Sequence, residues 1–306
     1  MKIRFLIAVS TLGILGSIGC GGVSGSGGRS KPITIKGSDT MVILGQRWAE
    51  TYMHSNPGVR IQVTGGGSGT GIAALINGGT DVCESSRPMK EKERIQARNR
   101  HRKDVKEIPV ALDGVAIYVH QSSPIQSLAQ SQLKSIYTGR TKNWRELGWD
   151  DATIVPYSRE NNSGTYVFFK EHVLGNEDFA NEVQTLPGTA AVVNAVSKDR
   201  RSVGYGGIAY ESGIRVLPVR GDGSGEAVPP SLDNVQSGRY PLSRQLFFYT
   251  VGEPEGELKA FINWVLSEEG QKICQAVGYY PLQKNPEPAS RQPLTGAGNG
   301  AIDSQR

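Results

Sequence analysis

From residue 32 onward, short apolar and β-branched runs alternate with stretches whose apolar positions recur every three or four residues. "ITIK" (33–36), "VRIQV" (59–63) and "DVCE" (81–84) read as strands, with helices at 40–54 and 70–77 between them. Leu44, Trp48 and Tyr52 fall four apart and share one helical face. Strand, helix, strand, helix, strand at this spacing predicts βαβ units and a mostly parallel sheet. Residues 88–104, "PMKEKERIQARNRHRKD", predict a charged helix with proline in its first turn. A run of this kind is far more often a solvated helix face than a surface for nucleic acid.

A second α/β set follows. "EIPVALDGVAIYVH" (107–120) and "TIVPYS" (153–158) read as strands, residues 127–139 and 189–198 as helices, and "VGYGG" (203–207) and "RVLPV" (215–219) as short strands. "QLFFYTV" (245–251) is β-rich, and residues 256–277 predict one amphipathic helix ending at Gly278. Two α/β lobes are the expected architecture.

With 306 residues, 37% hydrophobic and 21% charged, the chain suits one large or two medium globular domains. Its net charge of +5, from 34 Lys and Arg against 29 Asp and Glu, is thinly spread; it fits an anionic ligand weakly and does not argue for nucleic acid. The amino terminus says more. Lys2 and Arg4 precede the apolar run "FLIAVSTLGIL", too short to span a bilayer but right for a secretory signal, and the run closes on "GSIGC". Residues 1–20 are therefore expected to be a signal peptide, and a cysteine in that place resembles a lipoprotein signal with Cys20 as the lipidated first mature residue. Cleavage after Gly19 by an ordinary signal peptidase is the alternative. Residues 21–31 read as a flexible tether, and the Pro, Gly and polar tail at 287–306 as disordered. Cys83 and Cys274 have no zinc or redox spacing and are expected as small buried hydrophobes rather than a disulfide.

The chemistry concentrates where strands turn into helices. "KGSDTM" (36–41), "TGGGSGTG" (64–71), "ESSRP" (84–88) and "SRENNSGT" (158–165) each place Ser or Thr at such a turn. In parallel α/β units these turns gather at the carboxyl edge of the sheet, where ligands bind. One such residue per helix would be an ordinary N-cap, worth about 1 kcal/mol. Stacked hydroxyls with glycines that admit close backbone approach ask for more, and helix N-termini suit an anion. A P-loop would need Gly-Lys-Ser/Thr, whereas Thr70-Gly71 is followed by Ile72. Gly69, Gly71 and Ala74 fit a dinucleotide fingerprint only loosely, and no G-x-S-x-G elbow is present. An exported phosphatase or hydrolase using Ser163 or Ser68 as nucleophile is the rival from another class.

"GSDTM", "GGGSGTG", "SSRP", "TGRTKNWRELG", "SRENNSGT", "VGYGGIAY" and "YPLSRQLFFY", in this order, resemble the PstS-like phosphate-binding proteins of bacterial ABC transporters over about residues 32–284. The resemblance implies a two-lobed periplasmic-binding-protein fold of type II, α/β, with two crossover strands and a ligand cleft between lobes. Residues 32–111 plus 246–286 would form lobe one and residues 112–245 lobe two. It implies inorganic phosphate as ligand, membrane permease subunits as partners, a monomer held at the membrane by its lipid anchor, no enzyme activity, no cofactor and no metal. The implied phosphate contacts are Ser38, Thr40 and the Met41 backbone in the first turn, Ser68 in the second, Ser86 in the third, and Arg159, Ser163, Gly164 and Thr165 across the cleft. Some members carry an aspartate in the third turn that accepts the proton of hydrogen phosphate; here that position is Ser86. Asp39 is the nearest carboxylate for that role, its competing readings being an N-cap or a salt bridge to Arg87. Another tetrahedral oxyanion is the rival ligand.

Overall fold

The computed structural model describes residues 31–210, 212–223 and 225–282. The expected leader, the tether apart from Lys31, and the tail lie outside the described residues. The chain begins with β1 (Ile33–Gly37), α1 (Val42–Ser55), β2 (Ile61–Thr64), α2 (Ser68–Asn77), β3 (Val82–Ser85) and α3 (Glu91–His101). The three strands are parallel in the order β2-β1-β3. Leu44, Trp48 and Tyr52 are buried beneath α1, and the Trp48 indole N–H reaches Gly270 O at 2.7 Å. On the other face α2 lies directly on β1, because a Cβ at Gly71 would stand 2.4 Å from Lys36 O. The charged helix is shorter than the pattern predicts. Pro88, Met89 and Lys90 form its approach, with Met89 N held by the Tyr249 hydroxyl at 2.9 Å and Lys90 N by Glu93 Oε2 at 2.8 Å.

The sixteen-residue β4 (Val105–His120) leads into β5 (Leu128–Ala129), α4 (Gln130–Tyr137), β6 (Val155–Arg159), α5 (Gly164–His172), β7 (Gln184–Leu186), α6 (Gly188–Val196) and β8 (Ser202–Gly207). Then come β9 (Ile214–Leu217), β10 (Val219–Arg220), β11 (Ala227–Val228), α7 (Leu232–Gln236) and β12 (Ser243–Val251). β12 is antiparallel to β3 on one side and to the first part of β4 on the other. From Val115 onward β4 pairs instead with β8 and β9. β4 and β12 are thus the two crossover strands of a two-lobed type II fold, and the main sheet runs β2-β1-β3-β12-β4-β8-β6-β7.

In the second lobe Tyr137, Phe169 and Tyr205 form a buried aromatic group, with Phe169 stacked on Tyr205 at 3.9 Å between centroids. Burial of rings this size contributes about 2–3 kcal/mol each. Phe168 and Phe169 hold α5 to this core, which fixes where its amino terminus points.

The single helix expected over 256–277 is two, α8 (Gly256–Leu266) and α9 (Glu268–Val277). Ser267 is extended (φ −71°, ψ 169°), ends one helix and caps the next by accepting from Gly270 N. The bend folds α9 against the end of α8 so closely that a Cβ at Gly270 would lie 2.4 Å from the Trp264 and Val265 carbonyls. Cys83 and Cys274 are free and buried. No helix among the described residues is long and apolar enough to cross a membrane.

Candidate functional site: an anion cradle between the lobes

The strand-to-helix turns converge on one place and touch across the cleft. In the first turn Thr40 is buried, with its Oγ1 2.8 Å from Thr165 Oγ1 at the start of α5. Asp39 caps no helix and does not meet Arg87, which forms its ion pair with Glu93 at 2.8 Å. Instead Asp39 Oδ2 accepts from Arg159 Nη2 at 3.0 Å, and Oδ1 accepts from Gly66 N at 2.7 Å. The Tyr210 hydroxyl donates to Asp39 O at 2.8 Å. Met41 N–H donates to Ser38 O at 2.9 Å in this conformer, and Ser38 N donates to Glu84 O at 2.9 Å.

The hydroxyls are oriented by what they accept. Ser68 Oγ, in the first turn of α2, accepts from Ser86 N at 3.1 Å and lies 3.3 Å from Ser86 Oγ. Ser163 caps α5, accepting from Thr165 N at 3.2 Å and Tyr166 N at 3.4 Å. Thr165 Oγ1 accepts from Arg244 Nη2 at 3.0 Å. An oxygen engaged by an N–H still owns its proton and must send it elsewhere. Ser163, with both acceptor positions taken, is thereby left as an O–H donor, and Ser68 and Thr165 keep an O–H to donate beside one free acceptor position.

Gly164 is a glycine for room. A Cβ there would stand 2.4 Å from Ser68 Oγ and 2.6 Å from Ser86 Oγ, so only a bare backbone lets the second lobe approach those serines. Beside it Asn162 donates from Nδ2 to Gly66 O at 3.0 Å and to Thr70 Oγ1 at 3.2 Å, and its carbonyl accepts from Gly69 N at 2.8 Å. The lobes are in contact along this seam, and the cleft is closed.

Three participants escape the sequence reading. Thr189, in the first turn of α6, accepts from Arg159 Nη1 at 2.7 Å; burial draws the Arg159 guanidinium below its ordinary range, against the pull of Asp39. Arg244 is a second buried guanidinium, bound through Nε and Nη2 to Asp113 Oδ2 at 2.9 and 2.6 Å. The third is Glu84, fully buried in β3, whose two carboxyl oxygens have no hydrogen-bond partner among the described residues. Gly45 makes space for it, since a Cβ there would lie 2.7 Å from Glu84 Oε2. Burial, reinforced by the nearby Asp39 charge, holds this carboxyl well above the usual range, which favours its protonated form.

A PBP superfamily domain matches residues 22–269. The chain is 33% identical over 278 residues to the phosphate-binding protein PstS of Pseudomonas aeruginosa, an alignment covering 85% of this chain and 84% of that one. The chain belongs to the PstS-like family of the PBP superfamily. It is also 33% identical over 254 residues to PstS of Bacillus subtilis, across 83% of this chain and 81% of the relative. Among solved structures, a phosphate ABC transporter substrate-binding protein with bound phosphate from Clostridium perfringens superposes with a TM-score of 0.75. The two are 30% identical, over 83% of this chain and 100% of that one.

Gly164→Ala should act as a wedge between the lobes: anion affinity measured by calorimetry falls at least tenfold, about 1.4 kcal/mol. Glu84→Gln tests the neutral carboxyl. Its raised folded-state pKa means stability is full below the unfolded value near 4.5 and is lost as pH rises, by about 1.4 kcal/mol per unit while only the unfolded state ionises. Urea titrations should therefore show the variant and the parent converging near pH 4 and the variant ahead at pH 8.

Proposed function

We propose that the chain is an extracytoplasmic solute-binding protein that captures inorganic phosphate between its lobes and delivers it to the permease subunits of a phosphate ABC transporter. The observation that carries this reading is the set of oriented donors: Ser68 from one lobe, Ser163 and Thr165 from the other, each already accepting an N–H. A tetrahedral anion between them receives hydrogen bonds from both lobes. Arg159 adds a fixed fork suited to two oxygens.

The charge balance suits a ligand that brings its own. Arg159 is paired with Asp39 and Arg244 with Asp113, so both guanidiniums already face a carboxylate. A phosphate entering such a site is met mainly by dipoles at fixed geometry, and each buried oxygen left without a donor would cost roughly 1–3 kcal/mol. Five heavy atoms at a ceiling near 1.5 kcal/mol each allow about 7.5 kcal/mol, or micromolar affinity, which needs nearly every oxygen engaged.

Asp39 supports discrimination against sulfate. Each of its oxygens is already bound once, yet a carboxylate has about four acceptor positions, so capacity remains for the proton of hydrogen phosphate. Sulfate has no proton to give and meets only repulsion. The hydrolase reading has little to stand on. Ser163 Oγ serves as a helix cap, and His172 is turned to Phe168 O at 3.0 Å and stacked on the Phe168 ring. In this reading the protein binds and releases without catalysis, and Cys20 ties it to the outer face of the membrane as a monomer.

The test is calorimetry on phosphate-stripped protein with phosphate, arsenate and sulfate. Phosphate should bind at about micromolar affinity, Arg159→Ala should weaken it at least tenfold, and Asp39→Asn should raise sulfate relative to phosphate. Absence of phosphate binding would remove the reading, and an unchanged sulfate ratio would remove the role of Asp39.

A further inference from the structure

Arg244 and Asp113 face each other directly in the ladder between β12 and β4, the two strands that cross between lobes. Their side chains are 4% and 0% exposed, so the pair is sealed into the hinge. Asp113 Oδ2 takes both Nε and Nη2 of Arg244, and Asp113 Oδ1 accepts from Ile208 N at 3.1 Å. This roots the guanidinium in the strands rather than in either jaw. Its remaining reach goes to both jaws. Nη1 donates to Ser86 O at 3.1 Å in the third turn of lobe one, and Nη2 donates to Thr165 Oγ1 at 3.0 Å in the first turn of α5. The guanidinium also packs over the Phe168 ring of α5, 5.4 Å from its centroid.

We propose that Arg244 is a closure latch: a positioning residue at the hinge that bridges Ser86 and Thr165 only at the closed angle and fixes the Thr165 hydroxyl as a donor to the anion. The inference rests on the phosphate reading of the cleft. A hydrogen bond of 3.0–3.1 Å is lost within a further half ångström or so of separation. Rotation of one lobe away from the other therefore breaks at least one arm of the bridge. By occupying one acceptor position on Thr165 Oγ1, Arg244 keeps that hydroxyl's proton off its own side of the oxygen, whose cleft side meets Thr40 Oγ1 at 2.8 Å. The one guanidinium thus links the hinge angle to the donor geometry at the ligand.

The experiment compares Arg244→Lys with the parent by stopped-flow kinetics of phosphate binding and by solution scattering with and without phosphate. Lysine keeps the charge opposite Asp113 but lacks the planar fork that spans both jaws. A latch predicts an off-rate raised at least tenfold, an on-rate within about twofold, and incomplete compaction on adding phosphate. In a Thr165→Val background, the same Arg244→Lys change should alter the off-rate less than threefold, because the hydroxyl it orients is gone. A folding defect has another signature, a smaller binding-competent fraction with an unchanged off-rate, and that result overturns the latch. So does an Arg244→Lys protein that matches the parent in off-rate and compaction, or penalties that add independently across the two backgrounds. A parent chain that binds no phosphate overturns the ligand reading itself and the latch with it.

Discussion

A hydroxyl group has one proton, and everything in this cleft depends on where that proton is made to point. Ser163 accepts two N–H groups, which leaves donation as its remaining act, while Ser68 and Thr165 each accept one fixed N–H and keep a proton that must point away from it. Such groups suit an anion stripped of water, and they suit it only when the two halves of the molecule meet. The constraint explains the glycine at 164, whose bare backbone admits the contact, and the Asp39–Arg159 pair that ties the first turn to the opposite lobe.

The scaffold delivers these groups through ordinary packing. Parallel strands carry the turns of lobe one to a common edge, and α1 and α2 are pressed onto the sheet by Trp48 on one face and Gly71 on the other. In lobe two the stack of Phe169 on Tyr205 fixes α5, so that Ser163 to Thr165 arrive at a defined height. β4 and β12 join the halves, and the ionic contact between them is buried at the same level as the ligand turns. Hinge and cradle are adjacent for that reason.

Much of this was legible in the residues, because strand-to-helix turns with stacked hydroxyls leave a local signature and their gathering at one edge follows from parallel topology. The participants that escaped are those whose role comes from pairing at long range. Arg244 lies in a strand, and nothing near it in sequence says that β12 will set it opposite Asp113 and beneath Thr165. Glu84 read as the last residue of a strand and the first of its turn, and its isolation depends on Gly45, far back in α1, making space beside it. Thr189 follows Pro187 and Gly188 as any helix start might. The break at Ser267 did have a local sign, a serine followed by two acidic residues, but an uninterrupted helical period across 256–277 outweighed it.

The most direct test is a crystal structure of the phosphate-stripped protein after addition of phosphate. The account predicts one tetrahedral ion with oxygens within about 3.2 Å of Thr40, Ser68 or Ser86 on one lobe and, at the same time, of Arg159, Ser163 or Thr165 on the other. A phosphate bound by one lobe alone, or outside the seam between them, would contradict it.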